Sequence, residues 1–261
     1  MAELFDIKDI QKAKDIVRDV ALITPLQRNE RLSEQYDANV YFKREDLQPI
    51  RSFKLRGAYH KIYKLSDAER KLGIVCASAG NHAQGVALAC NKLGIKGTIF
   101  MPVPTPKQKL NQVRMFGGEN IETRLVGDTF DDAYAAAQSF KDQSKSIFIH
   151  PFDDSTVIEG QGTIALEILD QIDKHFDYLI IPIGGGGLIS GIITVFNELS
   201  PKTKIIGVEA EGAPAMMKSI EQKKIIELDK IDSFVDGVSI KKIGKIPFKI
   251  CKNNLDDLIV V

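Results

Sequence analysis

The feature that most constrains the fold is a regular alternation of short β-rich runs with amphipathic helical segments. Apolar residues recur at helical spacing in 7–20, 54–65, 81–93, 105–116, 129–140, 157–172 and 188–199. β-rich runs lie at 40–42, 73–76, 97–101, 120–126, 146–149, 178–183 and 204–209. Strands separated by helices of this length imply parallel β-α-β units. We therefore predict an α/β fold with parallel-rich sheets and helices on both faces.

Composition and charge narrow the class of protein. The chain has 261 residues, of which 44% are hydrophobic, enough for one large core or two modest ones. Its 35 basic residues balance 35 acidic ones, so neither nucleic acid nor an anionic membrane is an expected partner. The N-terminus lacks the pattern of a signal peptide, and the apolar run 178–183 is too short to span a bilayer. We predict a soluble cytoplasmic protein.

The cysteines and histidines give no support to a metal-centred mechanism. Cys76, Cys90 and Cys251 have no C-x-x-C spacing, so they are predicted to be small, inert thiols in a reducing compartment. The four histidines show no pairing with acids or cysteines at metal-ligand spacing (His60, His82, His150 and His175). We expect His82 to be a packed or capping residue.

The first segment whose residues could take part in catalysis is Ser52-Phe-Lys-Leu-Arg-Gly57. Lys54 follows Phe53 at the predicted opening of a helix. Both the helix dipole and desolvation would lower the pKa of this amine, which would help it act as a nucleophile and base. A surface lysine on a helix is the alternative, and this segment alone does not decide between them.

The second segment, Cys76-Ala-Ser-Ala-Gly-Asn-His82, lies between a predicted strand and a predicted helix. Backbone N–H groups at such a helix start suit a carboxylate or a phosphate. Asn81 can both donate and accept, so it could hold a phenolic oxygen on a cofactor ring. The alternative is an ordinary turn in which Ser78 or Asn81 serves as the N-cap.

The third segment is the tetraglycine run Gly184-Gly-Gly-Gly187, directly after an apolar strand. Such a run is conformationally costly, and its usual purpose is the close approach of backbone amides to an anion. The dinucleotide fingerprint fails, because its last glycine would fall on Ile189 or Ser190, and a P-loop is excluded because no Gly-Lys-Ser/Thr is present. A phosphate cradle and a mere tight turn stay open. Pyridoxal phosphate carries one phosphate and needs a lysine, and Lys54 could supply the lysine.

Taken together, these segments resemble the threonine dehydratase group of fold-type II pyridoxal phosphate enzymes, which also includes serine dehydratases and serine racemases. The matching segments are 43–48, 52–58, 78–86, 160–163, 184–187 and 236–237, and similarity runs over essentially the whole chain. The resemblance implies a two-lobe fold like that of the tryptophan synthase β subunit. We expect a large lobe that binds pyridoxal phosphate, formed by residues 1–50 plus 157–261, and a small lobe at 51–156.

The resemblance also assigns roles to residues. Lys54 would carry the cofactor as a Schiff base, with Phe53 packed beside the ring and Asn81 bonded to the ring hydroxyl. The phosphate would be held by the amides of Gly184, Gly185, Gly186 and Gly187, and Gly237 would lie on a loop beside the ring. A loop would grip the substrate carboxylate, formed by Ser78, Ala79, Gly80 and Asn81.

Two positions separate this chain from other members of the group. Racemases typically carry a serine at the position of Ala79, and alanine cannot transfer a proton, so we predict an eliminating enzyme. Relatives that bind a divalent cation use a second acid near the one matching Glu209, where this chain has Ala215, so we predict no metal.

Asp257-Leu-Ile-Val-Val261 reads as the start of a buried strand. We therefore expect the large lobe to be incomplete at its C-terminus, without the family's late Ser/Thr/Cys partner for the pyridine nitrogen and without a regulatory domain.

The predicted function is deamination of L-threonine by β-elimination to 2-oxobutanoate and ammonia, because the motifs at 43–48 and 51–56 look like those of the biosynthetic, isoleucine-pathway enzymes. An L-serine dehydratase and a truncated, catalytically inactive fragment are the alternatives. The expected partner is a small amino-acid substrate, and we expect a homo-oligomer.

Overall fold

A computed structural model describes residues 5–172 and 175–261. The helices are α1 (Ile7–Val17), α2 (Glu30–Tyr36), α3 (Lys54–Tyr63), α4 (Asp67–Leu72), α5 (Asn81–Leu93), α6 (Lys107–Gly117), α7 (Phe130–Ser144), α8 (Ser155–Asp170), α9 (Gly187–Leu199), α10 (Ala215–Glu221) and α11 (Lys245–Asn254). The strands are β1 (Leu26–Arg28), β2 (Tyr41–Lys43), β3 (Ile74–Ala77), β4 (Gly97–Met101), β5 (Ile121–Leu125), β6 (Ile147–Phe148), β7 (Tyr178–Pro182), β8 (Lys204–Glu209) and β9 (Asp257–Val260).

The first sheet is four-stranded and parallel, in the order β5-β4-β3-β6. Successive residues of β3 point to opposite faces, as the strand geometry requires. Ile74 and Cys76 enter a core shared with α3 and α5, whereas Val75 and Ala77 pack with Ala133 of α7. Both faces are therefore covered by helices, as the alternating pattern predicts.

The second sheet is three-stranded and parallel, in the order β7-β8-β9. Its core is formed with α1, α8, α9 and α11. The expectation that the last strand is buried is wrong, because β9 lies at a sheet edge and its side chains are only half-covered. Ile259 is 43% exposed, and Ile180 of the opposite edge strand is 67% exposed.

Helix α8 lies between α3 and α9, and glycines make both contacts close. A Cβ on Gly160 would lie 2.7 Å from the Cα of Gly57, and one on Gly191 would lie 2.7 Å from the amide nitrogen of Gly162. The N-terminal ends of α3 and α9 are therefore held at a fixed spacing by one helix. No helix in the described part of the chain is long and apolar enough to cross a membrane.

Candidate active site

Lys54 is the first residue of α3, and its side chain is half-buried. Its Nζ donates a hydrogen bond to the carbonyl oxygen of Pro151 at 2.9 Å and lies 5.5 Å from the centre of the Phe53 ring. Burial lowers the pKa of this amine from 10.5 to about 8. The surface-lysine alternative is wrong, and burial is the cause of the shift.

The Ser78–Asn81 turn joins β3 to α5 at the carboxyl end of the parallel sheet. The N-cap of α5 is Gly80, which has no side chain to cap with, so the alternative that Ser78 or Asn81 caps the helix is wrong. The hydroxyl of Ser78 instead accepts the amide of Gly80 at 3.2 Å. Within the described residues, the amides of Asn81, His82 and Ala83 donate to no protein acceptor. They are available for an anion, and the Asn81 side chain is exposed.

His82 is buried directly behind this turn, which confirms the prediction of a packed histidine. Its Nε2 lies 2.9 Å from the carbonyl oxygen of Ile149, which fixes Nε2 as the protonated nitrogen. Burial, with a smaller contribution from Lys54, lowers the pKa of His82 to about 3. The ring is therefore neutral at any pH near 7 and carries no charge into the site.

The tetraglycine run forms the loop between β7 and α9, and α9 begins at Gly187. Gly186 has a φ of +89°, a conformation that L side chains rarely adopt. A Cβ on Gly185 would lie 2.1 Å from the ring of Phe152, and one on Gly184 would lie 3.0 Å from the Cα of Val238. In the chain as described, no amide from Gly184 to Gly187 donates to a protein acceptor. The mere-turn alternative does not account for four unused amides in one loop.

Gly237 lies in an exposed turn next to this loop, since the neighbouring Val238 contacts Gly184. A Cβ on Gly237 would meet nothing within 4 Å, so the structure leaves its predicted contact with a cofactor ring untested.

The segment from His150 to Asp153 contacts two of the three predicted segments, and no sequence motif singles it out. Pro151 accepts the hydrogen bond of Lys54, and the ring of Phe152 packs against Gly185. The polar composition of 151–155 marks only a loop, so no sequence signal distinguishes these two residues.

The residues present fit pyridoxal phosphate. A half-buried amine with a lowered pKa, four free amides at a helix start and a second amide-rich turn correspond to its aldehyde, its phosphate and the carboxylate of an amino acid. Glu209 is buried, and its carboxylate accepts the amides of Met216 and Met217 at 2.7 and 2.8 Å. Its oxygens are thus used by the start of α10.

Comparison with known proteins agrees with the fold. The family of pyridoxal-phosphate dependent enzymes matches residues 17–261, and the chain belongs to this family.

Among its curated relatives are proteins named L-threonine dehydratase biosynthetic IlvA. The protein of Halalkalibacterium halodurans is 54% identical over 98% of this chain and 61% of its own length. That of Bacillus subtilis is 52% identical over 99% of this chain and 61% of its own length. The chain therefore spans 61% of the length of these relatives.

Solved structures show the same fold. Threonine deaminase isoform 2 from Solanum lycopersicum, in its processed form, superposes with a TM-score of 0.93 at 43% identity, covering 98% of this chain and 73% of its own. Maize serine racemase also superposes with a TM-score of 0.93, at 30% identity, covering 99% of this chain and 77% of its own. These likenesses confirm the predicted fold class of two-lobed, parallel-sheet pyridoxal phosphate enzymes.

Proposed function

We propose that this chain eliminates water from L-threonine with pyridoxal phosphate and so forms 2-oxobutanoate and ammonia, the first step of isoleucine biosynthesis. The names of the relatives at 52–54% identity support the substrate and the pathway. The observation that carries the chemistry is the half-buried Lys54 amine, which has a pKa of about 8 and donates to Pro151, the neighbour of the Phe152 that packs against the tetraglycine loop. Activity of this chain by itself is part of the proposal, because the relatives are longer.

The proposed roles are those that the family resemblance implies for the three segments. Lys54 is the catalytic residue, and Phe53 packs beside the cofactor ring. Asn81 binds the ring hydroxyl, and the amides of 184–187 hold the phosphate, with Gly237 on the neighbouring loop. Ser78, Ala79, Gly80 and Asn81 form the turn that binds the substrate carboxylate. Residues 1–50 with 157–261 are proposed as the large lobe and 51–156 as the small lobe.

The cofactor, when bound, supplies the electron sink for charge that develops on the substrate Cα. The amides at the start of α5 hold the carboxylate and thereby fix which bond of Cα faces Lys54. Nζ of Lys54 takes the α-proton, a task that its lowered pKa suits near neutral pH. The neutral, buried His82 behind the turn adds no competing acid or base.

Elimination is favoured over racemisation by Ala79. Racemisation needs a second proton-transfer group on the opposite face of Cα, and the methyl group of alanine has no exchangeable proton. The half-buried Ala79 packs against the core around α5.

The test is to load purified protein with pyridoxal phosphate, record the visible absorbance and assay 2-oxobutanoate from threonine. We expect Lys54→Ala to lose both the absorbance and the turnover. Lys71→Ala, at an exposed position of α4, is the control and should keep both. A Lys54→Ala protein with undiminished turnover would contradict the proposal.

Assays on the same purified protein also distinguish two alternative functions. A larger kcat/KM for L-serine than for L-threonine would identify a serine dehydratase. Because the relatives are longer, a folded protein with neither absorbance nor turnover would identify an inactive fragment. We also propose a homo-oligomer in the cytoplasm, and three buried, unpaired cysteines support the reducing compartment.

A further inference from the structure

We propose that His150 is a positioning residue for Lys54: its Nδ1 shapes the turn from His150 to Asp153, which presents the Pro151 carbonyl to the lysine amine. The inference deepens the proposed function and rests on it for the role of Lys54 in turnover. It does not rest on the proposed function for the hydrogen bonds that link His150 to Lys54 through the turn.

The hydrogen bonds of the turn carry the first step. Nδ1 of His150 accepts the amide of Asp153 at 2.8 Å and the amide of Phe152 at 3.3 Å. The two amides belong to the first and second residues after Pro151, and both point back at the imidazole. The peptide unit between Pro151 and Phe152 is thereby turned, and its carbonyl oxygen accepts Nζ of Lys54 at 2.9 Å.

The protonation state of His150 agrees with an acceptor at Nδ1. Burial lowers the pKa of His150, with a smaller contribution from Lys54, and outweighs the raising effect of Asp153 and Asp154. His82, the other titratable ring beside Lys54, is neutral as well. An uncharged His150 keeps the Nδ1 lone pair that the two amides require.

The turn is anchored on both sides, so a change at His150 would be transmitted to Lys54 rather than absorbed. Before it, the carbonyl of Ile149 is held by His82 at 2.9 Å. After it, the carboxylate of Asp153 accepts the amide of Ile246 at 2.8 Å. The His150 and Phe152 rings meet edge to face at 4.8 Å, and Phe152 in turn packs against Gly185 of the phosphate loop.

The proposed consequence is that the Pro151 carbonyl is the resting acceptor of the free Lys54 amine. A carbonyl that accepts from an ammonium stabilises the charged form and so raises its pKa. Burial sets the pKa of Lys54 low, and this hydrogen bond keeps it from falling further. The carbonyl also fixes the direction in which Nζ points when it is not bonded to another group.

The experiment compares His150→Phe, which keeps a ring but has no acceptor, with His150→Asn, whose Oδ1 stands as many bonds from Cβ as Nδ1 and can accept amides of the following turn. His175→Leu, at an exposed position, is the matched control. Near-ultraviolet circular dichroism verifies the fold, and His150→Ala replaces His150→Phe if the latter does not fold.

The first readout uses cofactor-free protein. Competitive acetylation across a pH range, with the Lys54 peptide quantified by mass spectrometry, gives the pKa of Lys54 without any turnover. We expect His150→Phe to lower this pKa by about one unit, since the amine stays buried but loses its acceptor. His150→Asn and His175→Leu should leave it unchanged.

The second readout is turnover of the loaded protein, in which His150→Phe should lower kcat about tenfold with little change in KM, and His150→Asn should restore it. An unchanged Lys54 pKa in the Phe variant, or an equal loss in the Phe and Asn variants, would overturn the positioning role. If the wild-type protein shows no turnover, the proposed function fails, and the acetylation data still decide the role of His150.

Discussion

At Lys54, the position of the residue in the fold acts directly on its chemistry. The amine opens α3 and has only one protein acceptor among the described residues, the carbonyl of Pro151. Its pKa falls to about 8 because the ammonium form loses solvation. An amine in this state is a better nucleophile near neutral pH than any exposed lysine of the chain.

The lowered pKa predicts how Lys54 affects stability. Below pH 8 the amine is charged in both the folded and the unfolded protein, so the folded state bears the cost of burying a charge. Between pH 8 and 10.5 the folded protein binds fewer protons than the unfolded one, and this cost disappears as pH rises. We expect cofactor-free Lys54→Met to be more stable than wild type by about 1–2 kcal/mol at pH 7, after discounting for the partial exposure of the side chain.

The measurement is urea unfolding of both proteins at pH 7 and pH 10. The advantage of Lys54→Met should shrink at pH 10, and general alkaline effects cancel because they act on both proteins. An advantage that grows with pH would show that the amine is not desolvated in the folded state.

At Gly185 the absence of a side chain allows the phosphate loop to pack directly against Phe152. A Cβ there would lie 2.1 Å from the ring of Phe152, so Gly185→Ala must displace either the ring or the loop. We expect Gly185→Ala to weaken pyridoxal phosphate binding about tenfold or more, because the amides of the loop no longer converge on one anion.

Titration of cofactor absorbance gives the affinity. Gly94→Ala is the control, since Gly94 ends α5 with a φ of +65° and lies outside the three site segments. That variant should lose about 1 kcal/mol of stability and keep its cofactor affinity. Equal losses of affinity in both variants would attribute the effect to stability alone.

At the scale of elements, α8 sets the spacing of the site although none of its residues is a predicted ligand. Its N-cap Asp154 accepts the amide of Val157 at 3.1 Å, which begins the helix directly after the turn that carries Pro151. Glycines on two faces then let α3 and α9 approach it closely, so the helices that carry Lys54 and the phosphate loop share one support.

Gly160→Ala tests this support. The added Cβ would lie 2.7 Å from the carbonyl oxygen of Arg56 and 2.7 Å from the Cα of Gly57, both of which are backbone atoms that cannot rotate away. We expect a loss of about 1–3 kcal/mol in the free energy of unfolding. Urea unfolding measures it, and Ala135→Ser, at an exposed position of α7, should change it by less than about 0.5 kcal/mol. A Gly160→Ala protein as stable as the control would mean that α3 and α8 can separate freely.

At the scale of the whole molecule, a buried ionic network holds the N-terminal part of the chain against α3 and α8. The fully buried guanidinium of Arg56 donates to both oxygens of Glu45, at 2.8 and 2.9 Å, and to both oxygens of Glu167, at 2.6 and 3.0 Å. Lys43 of β2 also reaches Glu167, at 2.6 Å. Arg56 lies two residues after Lys54, so the network fixes the helix on which the catalytic amine is carried.

Arg56→Met is expected to destabilise the protein by about 3–5 kcal/mol, because two carboxylates lose their main partner in a buried setting. Urea unfolding at low and high salt is the measurement. The loss of stability should be nearly independent of salt, because dissolved ions screen a buried ion pair only weakly. Arg124→Met, which removes an exposed pair with Glu122, is the control and should cost no more than about 1 kcal/mol. Comparable losses of stability in Arg56→Met and Arg124→Met would contradict the claim that burial makes the Arg56 network more important than an exposed ion pair.

The larger part of the fold follows from local pattern. The helices at α3, α5 and α9 and the strands at β4 and β8 are predicted to within a few residues, because periodicity and the glycine and proline breaks are local properties. The short elements β1, α2, α4 and α10 escape prediction, since their apolar pattern is too brief to stand out, and the longer α11 escapes it as well. The exposure of β9 also escapes it, because an apolar run does not reveal whether a sheet edge is covered.

For the site, the sequence by itself determined the kinds of group present: a lysine at a helix start, an amide-rich turn and a four-glycine loop. Each of these groups lies within a short run of consecutive residues. The family that they indicate is confirmed by the match to the family and by the similar relatives. Only the tertiary structure decided that Lys54 is half-buried, that Gly80 leaves the α5 amides free, and that the turn at His150 contacts both Lys54 and the tetraglycine loop. The hydrogen-bond partner of Lys54 lies 97 positions away in the chain, at Pro151, so no local pattern could contain this contact.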